Sequence, residues 1–196
     1  MKKIILGSVL LTTLLSAQWF IGVDYPVSSN MQREQDVSSN SYSASGTYDY
    51  EYTPIIFKVG AGDPENLNMN VYFSTAKIEY EHGESSDPLN EIGYDIRKAF
   101  AIDSIKGLAP FIQGGVSYGW MKIDENYFNQ SNIYSVGLKA GVGISYILAD
   151  SFQFLLGIDY KYRKWQDIEV AENYNSGTIS NTDKGTKVYV GFNLWF

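Results

Sequence analysis

The sequence predicts an all-β chain: an eight-stranded antiparallel up-and-down transmembrane β-barrel. Apolar and small or polar residues alternate along nearly the whole chain after its first segment, which is the period of strands with two unlike faces. Short connections alternate with longer polar ones, as hairpins with two different ends require. Aromatic residues gather at both ends of the apolar face, where a membrane-spanning sheet meets its two interfaces.

The first segment is of another kind. Lys2 and Lys3 precede an apolar run from Ile4 to Leu15, and Ser16-Ala17 offers a small residue for cleavage before Gln18. This layout marks residues 1–17 as a cleaved secretory signal peptide and 18–196 as one barrel domain.

The strands then follow in order. Trp19, Ile21, Val23 and Tyr25 alternate with Phe20, Gly22 and Asp24, and Ile55, Phe57 and Val59 with Lys58 and Gly60. The stretch from Met69 to Tyr80 changes parity near Phe73 to Ala76, which predicts a bulge there. Ile92, Tyr94 and Ile96 face away from Gly93, Asp95 and Arg97, and Ile112, Val116, Tyr118 and Trp120 from Gln113, Gly115, Ser117 and Gly119. The last three strands are the clearest. Tyr134 to Tyr146 carries Ser, Gly and Lys139 on its second face, Phe152 to Tyr162 carries Asp159, Lys161 and Arg163, and Val188 to Phe196 follows Lys187. The long polar connections are Ser29–Gly46, Glu81–Leu89, Asp124–Asn132 and Asp167–Asp183. The first of these reads as a mobile loop, because its hydrophobicity is too low to order it.

Composition narrows the function classes. The formal charge of −7 argues against a nucleic-acid partner, whose phosphates need a basic surface. The absence of cysteine excludes a disulfide framework and thiolate chemistry. Sixteen tyrosines suit interfacial belts, and eighteen glycines leave room in a narrow lumen.

Alternation alone does not say which face is outside, since a lipocalin alternates too but points its apolar face inward. Here the polar face is rich in Gly, Ser and Asn, which suits a filled interior. Tyr25, Tyr118, Trp120, Tyr134, Tyr160 and Tyr162 mark one end of the apolar face, and Trp19, Phe152 and Phe196 the other. These are the two girdles of a membrane barrel with short periplasmic turns and longer extracellular loops.

The closing segment, with Tyr189, Phe192, Leu194 and Phe196, resembles the C-terminal signal of bacterial outer-membrane proteins. Size and strand number resemble the small eight-stranded barrels of the OmpA transmembrane domain and OmpX type, over the chain from about Gln18 onward. The resemblance implies a place in the cell outer membrane, contact with its lipid, and recognition of those four residues by the barrel-assembly machinery. A monomer with no cofactor is expected.

Charges on the inward parity are the candidate site: Asp24, Lys58, Asp95, Arg97, Lys139, Asp159, Lys161, Arg163 and Lys187, with Lys77 and Glu79 read on the same face. Charges in a closed interior need partners. Such a network either fills and rigidifies the barrel or gates a thin conduit, and hairpin register suggests Lys139 and Asp159 as one pair. Lys98 falls on the lipid-facing parity, so either a bulge turns it inward or it snorkels to an interface.

Catalytic and metal sites have weaker support. His82, the one histidine, sits among Glu79, Glu81, Glu84, Ser85, Ser86 and Asp87. Lipid A-modifying barrels place a His-x-Ser pattern on a strand, and here Gly83 and Glu84 follow the histidine. No fixed ligand spacing supports a metal, and there is no Walker A loop, HExxH or GxSxG. The expectation is a non-enzymatic barrel with a structural or surface-interaction role through its extracellular loops. A narrow gated channel for ions or very small solutes is the alternative, and a lipid A-modifying enzyme a more distant one.

Overall fold

Strands joined by connections too short for a crossover pair with their sequence neighbours in antiparallel fashion. The computed structural model, which describes residues 18–39, 42–80, 86–123, 128–149, 151–170 and 177–196, has this arrangement throughout. The signal peptide expected at 1–17 and His82 both lie outside the described residues.

The strands are β1 Gln18–Ser39, β2 Ser43–Glu51, β3 Ile55–Gly62, β4 Leu67–Ala76, β5 Glu79–Tyr80, β6 Leu89–Ala99, β7 Leu108–Lys122, β8 Asn132–Leu148, β9 Phe152–Trp165, β10 Ile168–Glu169 and β11 Gly177–Trp195. Eight of them form the wall, in the order β1, β3, β4, β6, β7, β8, β9 and β11, and β11 pairs back with β1 to close the ring. A closed ring leaves no edge, so every backbone polar group in the hydrocarbon can find a partner within the sheet. Among the described residues no helix is long and apolar enough to cross a membrane; the crossing is made by strands.

The β1–β11 ladder has one register shift, between Pro26 and Ser28. Pro26 has no N–H to give the ladder, and an extra residue is accommodated where pairing already fails. Val27 and Ser28 both face outward, so the inward set changes from Phe20, Asp24 and Pro26 below to Ser29, Met31 and Arg33 above. On its other side β1 pairs with β3 up to Asp24↔Ile56 and resumes with β2 at Met31↔Tyr50.

Two sequence expectations change here. No bulge interrupts β4, whose pairing with β3 and β6 is in constant register from Leu67 to Ala76. Tyr72, Ser74 and Ile78 all face inward, so the parity is constant, and it is apolar Ile78 between exposed Lys77 and Glu79 that imitates a change. The supposed mobile first loop is instead a continuation of the sheet: Met31–Ser38 pair with Ser43–Tyr50 on one side, and Ser29–Ser39 with Gly177–Lys187 on the other. Both faces of this extension carry polar side chains, so no period-two hydrophobic signal marks it.

Inward bulk is matched by glycine on the neighbouring strand. A Cβ on Gly93 would lie 2.3 Å from the Tyr72 ring, and one on Gly157 2.6 Å from the Tyr189 ring. Gly115 and Gly141 make the same allowance for Asp95 and Asp159, at 2.0 and 2.1 Å. The glycines thus admit tyrosines and carboxylates.

The outer face is an apolar belt bounded by aromatics. Trp19, Phe152 and Phe196 are exposed at the turn end, and Tyr25, Tyr118, Tyr134, Tyr160 and Tyr162 at the hairpin end. Tyr118 stacks on Tyr134 with centroids 5.8 Å apart. Lys98 faces lipid with no bulge to turn it, but it lies next to the turn end of β6. Its ammonium donates to Asn66 Oδ1 in the turn before β4 and lies 5.9 Å from the Phe100 ring centroid. The side chain snorkels to the rim. Lys98→Leu is therefore expected to shift the denaturant midpoint by the equivalent of less than about 1 kcal/mol. A loss of several kcal/mol on that substitution would contradict the rim placement.

Candidate functional site: the lumen

Inward positions at successive levels build three layers. At the turn end, Ala99, Ala109, Phe111, Leu155 and Tyr189 form an apolar floor. Beside it Phe20 packs on Trp195 at 4.5 Å, and Gln153 Oε1 accepts from Asn193 and from the Trp195 indole. At the hairpin end Met31, Tyr50, Ile78, Leu89, Met121, Ile133, Trp165 and Ile168 form an apolar roof. The charges lie between.

All nine lumen residues singled out in the sequence point into this middle layer. Lys58 Nζ meets Asp24 Oδ1 at 2.6 Å. Lys139 Nζ donates to Asp95 Oδ2 at 2.8 Å and forms a looser ion pair, at 3.9 Å, with the Asp159 that hairpin register suggested. The direct partner of Lys139 across the ladder is Lys161, and Asp159 lies opposite Gly141. Asp159 accepts from Gln113 Nε2 at 2.5 Å, and Lys187 Nζ is 3.8 Å from it. Arg97 donates to Gln113 Oε1 at 3.0 Å from Nη2 and lies 4.6 Å over the Phe111 ring.

The hub of the layer is a residue the sequence reading passed over. Glu91 is buried and accepts from Lys161, from Arg163 Nη2 at 2.7 Å and from the Tyr72 hydroxyl at 2.9 Å. One more step of the Gly93, Asp95, Arg97 alternation would have included it. Arg163 continues upward to Asp183 at 3.5 Å. Asp183 accepts from two Arg33 nitrogens, Nε at 2.7 Å and Nη2 at 3.1 Å, and from the Trp165 indole at 2.6 Å. The Arg33 guanidinium lies about equally over Tyr50 and Trp165, at 5.3 and 5.2 Å from their centroids. Arg33 and Asp183 were hidden in stretches read as loops. Lys77 and Glu79, read as inward, are exposed; the chain leaves the ladder after Ala76 and Ile78 is the buried side chain between them.

A closed ring of eight antiparallel strands, an apolar outer belt and a filled polar interior are now all in place. The fold is that of a small outer-membrane β-barrel. It is similar to Neisserial surface protein A, with a TM-score of 0.51 and 16% identity over 91% of this chain and 97% of that one. It is also similar to the outer membrane protein OprG from Pseudomonas aeruginosa, with a TM-score of 0.56 and 12% identity over 92% and 96%. No protein-family model matches the chain, and no curated protein does either. At these identities the likeness is one of fold.

In this outer-membrane barrel, Phe192 and Leu194 lie on the lipid-facing parity of β11 with Phe196 exposed beyond them, while Tyr189 is buried in the lumen on the opposite face. No group of three or more His, Cys, Asp or Glu side chains able to hold a metal occurs among the described residues. Above the girdle the surface of the extension is mainly acidic, with Glu34, Asp36, Asp49, Glu51, Asp167 and Glu169 exposed and Lys164 and Lys184 among them. Lys184 bridges to Glu34 across β11 and β1; their hydrogen bond raises the lysine above its ordinary pKa.

Proposed function

We propose that the barrel is a non-catalytic outer-membrane protein that works through its extracellular extension, as a surface for contact with another macromolecule. The observation that carries this reading is the layering of the lumen: an apolar roof and floor enclose ion pairs, while β1, β2 and β11 continue as ordered sheet beyond the aromatic girdle. Exposed Tyr42 and Tyr48 offer contact area at low entropic cost, and the surrounding carboxylates favour a basic partner. Phe192, Leu194 and Phe196 would be the part of β11 offered to the assembly machinery.

A hairpin shortened between Arg33 and Tyr48 tests the reading. Cells displaying the full chain are expected to be retained on an immobilised basic matrix protein, and cells displaying the shortened form to be released. Equal retention of both would sink it. The channel reading keeps one point in its favour, because Lys139 stands within 4 Å of both Asp95 and Asp159 and could exchange between them. Conductance of the folded protein in a planar bilayer decides between the two. Steps that grow when Lys139 and Asp159 are both changed to alanine favour a gate; silence from both proteins favours the surface role.

A further inference from the structure

The described lumen is not electrically balanced. Arg33, Lys58, Arg97, Lys139, Lys161, Arg163 and Lys187 face Asp24, Glu91, Asp95, Asp159 and Asp183, seven cations against five carboxylates. Burying a surplus charge is costly unless something compensates it. Arg97, with no ion pair among the described residues, is met by Gln113 and the face of Phe111. Lys187 has no such amide acceptor among the described residues, and its ammonium stands 5.5 Å from the Tyr189 ring centroid. Among the described residues the one carboxylate within 4 Å of it, on Asp159, is 3.8 Å away, beyond hydrogen-bond length, and is shared with Lys139 and Gln113.

Lys187 lines a cavity of about 20 Å³ together with Lys139, Lys161 and Ser29. Ser29 is buried and its Oγ has no hydrogen-bond partner. A space of that size holds a single water-sized particle. A water could satisfy the hydroxyl but would leave the charge. Glu91 and Asp159 also line the space, but each already accepts from its own donors, Lys161, Arg163 and Tyr72 for Glu91 and Gln113 for Asp159. We infer that this cavity is a binding site for one monovalent anion of halide size, held by the Lys187 ammonium and the Ser29 hydroxyl. Oxyanions such as sulfate are too large for it. The anion is a structural counter-ion in a closed lumen, and the inference stands apart from the surface role.

The test uses the full folded chain in lipid vesicles, unfolded by heat in sodium chloride, sodium bromide or sodium gluconate at equal ionic strength. Chloride and bromide are expected to raise the midpoint by a few degrees over gluconate. Lys187→Met removes the surplus charge at similar volume, and should abolish that difference without lowering the midpoint in gluconate. The same halide effect in both proteins would overturn the site, as would no effect in the unmodified one. Should the variant fail to fold, crystals of the unmodified protein grown in bromide decide. An anomalous peak beside Lys187 Nζ supports the site, and its absence overturns it.

Discussion

Replacing Glu91 by glutamine is expected to destabilise the barrel by about 3–5 kcal/mol, the range for breaking a buried ion pair from one side. The substitution keeps the shape of the side chain and removes its charge. Lys161 and fully buried Arg163 then lose their shared carboxylate, and Tyr72 loses a charged acceptor. Urea unfolding of the protein in lipid vesicles, followed by tryptophan fluorescence, measures the loss. A second change, Lys161→Met, should restore part of it, because it removes one of the stranded charges. An unchanged midpoint for Glu91→Gln would mean that Glu91 is not the hub of the middle layer. Partial rescue would separate electrostatic stranding from poor packing, since the double variant repairs only the former.

The second large effect is expected at the roof. Asp183→Asn should loosen the extension by about 3 kcal/mol while leaving the membrane-embedded wall folded. Its carboxylate holds Arg33 in place between two aromatic rings and accepts from Trp165, so neutralising it takes that charge from Arg33 and leaves Arg163 to Glu91. Hydrogen exchange of the Met31–Ser39 amides reads the effect, with protection falling by roughly two orders of magnitude. Burial by itself pushes the Asp183 carboxyl up, but Arg33, its hydrogen bonds and Arg163 outweigh that and hold it below the ordinary range. A depressed carboxylate contributes stability that is complete above its unfolded pKa and is lost as pH falls through the folded one. The unmodified extension should therefore begin to loosen below about pH 4, and the Asn variant should lack that dependence. Equal acid sensitivity in both proteins would assign the loosening to other groups.

Legibility followed the contrast between the two faces of each strand. Where lipid meets one face and the packed lumen the other, as from Tyr134 to Tyr146 and from Phe152 to Tyr162, period two is unbroken and each inward charge could be read in advance. Where the sheet rises into water the contrast disappears. Gln32 pairs with Asp49 and Gln35 with Asn181 across exposed or half-buried ladders, and nothing in their polarity separates them from loop residues. Arg33 and Asp183 went unseen for that reason. The shorter of the Lys139 ion pairs was hidden by a different cause: Lys139 reaches past β7 from β8 to Asp95 on β6, and hairpin register describes only nearest neighbours.

The register shift at Pro26 has a consequence for how insertions and deletions in β1 are read. With one surplus residue at Val27, the strand changes frame as a coding sequence does after a single-base insertion. Even-numbered side chains face inward below that point and odd-numbered ones above it, so removing Val27 would close the bulge and leave every side chain beyond it on its present face. Removing Asn30 instead would turn Gln32 and Glu34 toward the roof and carry Arg33 out into water. The bulge is thus a point where β1 can lose a residue without changing which side chains its extracellular half presents to the roof.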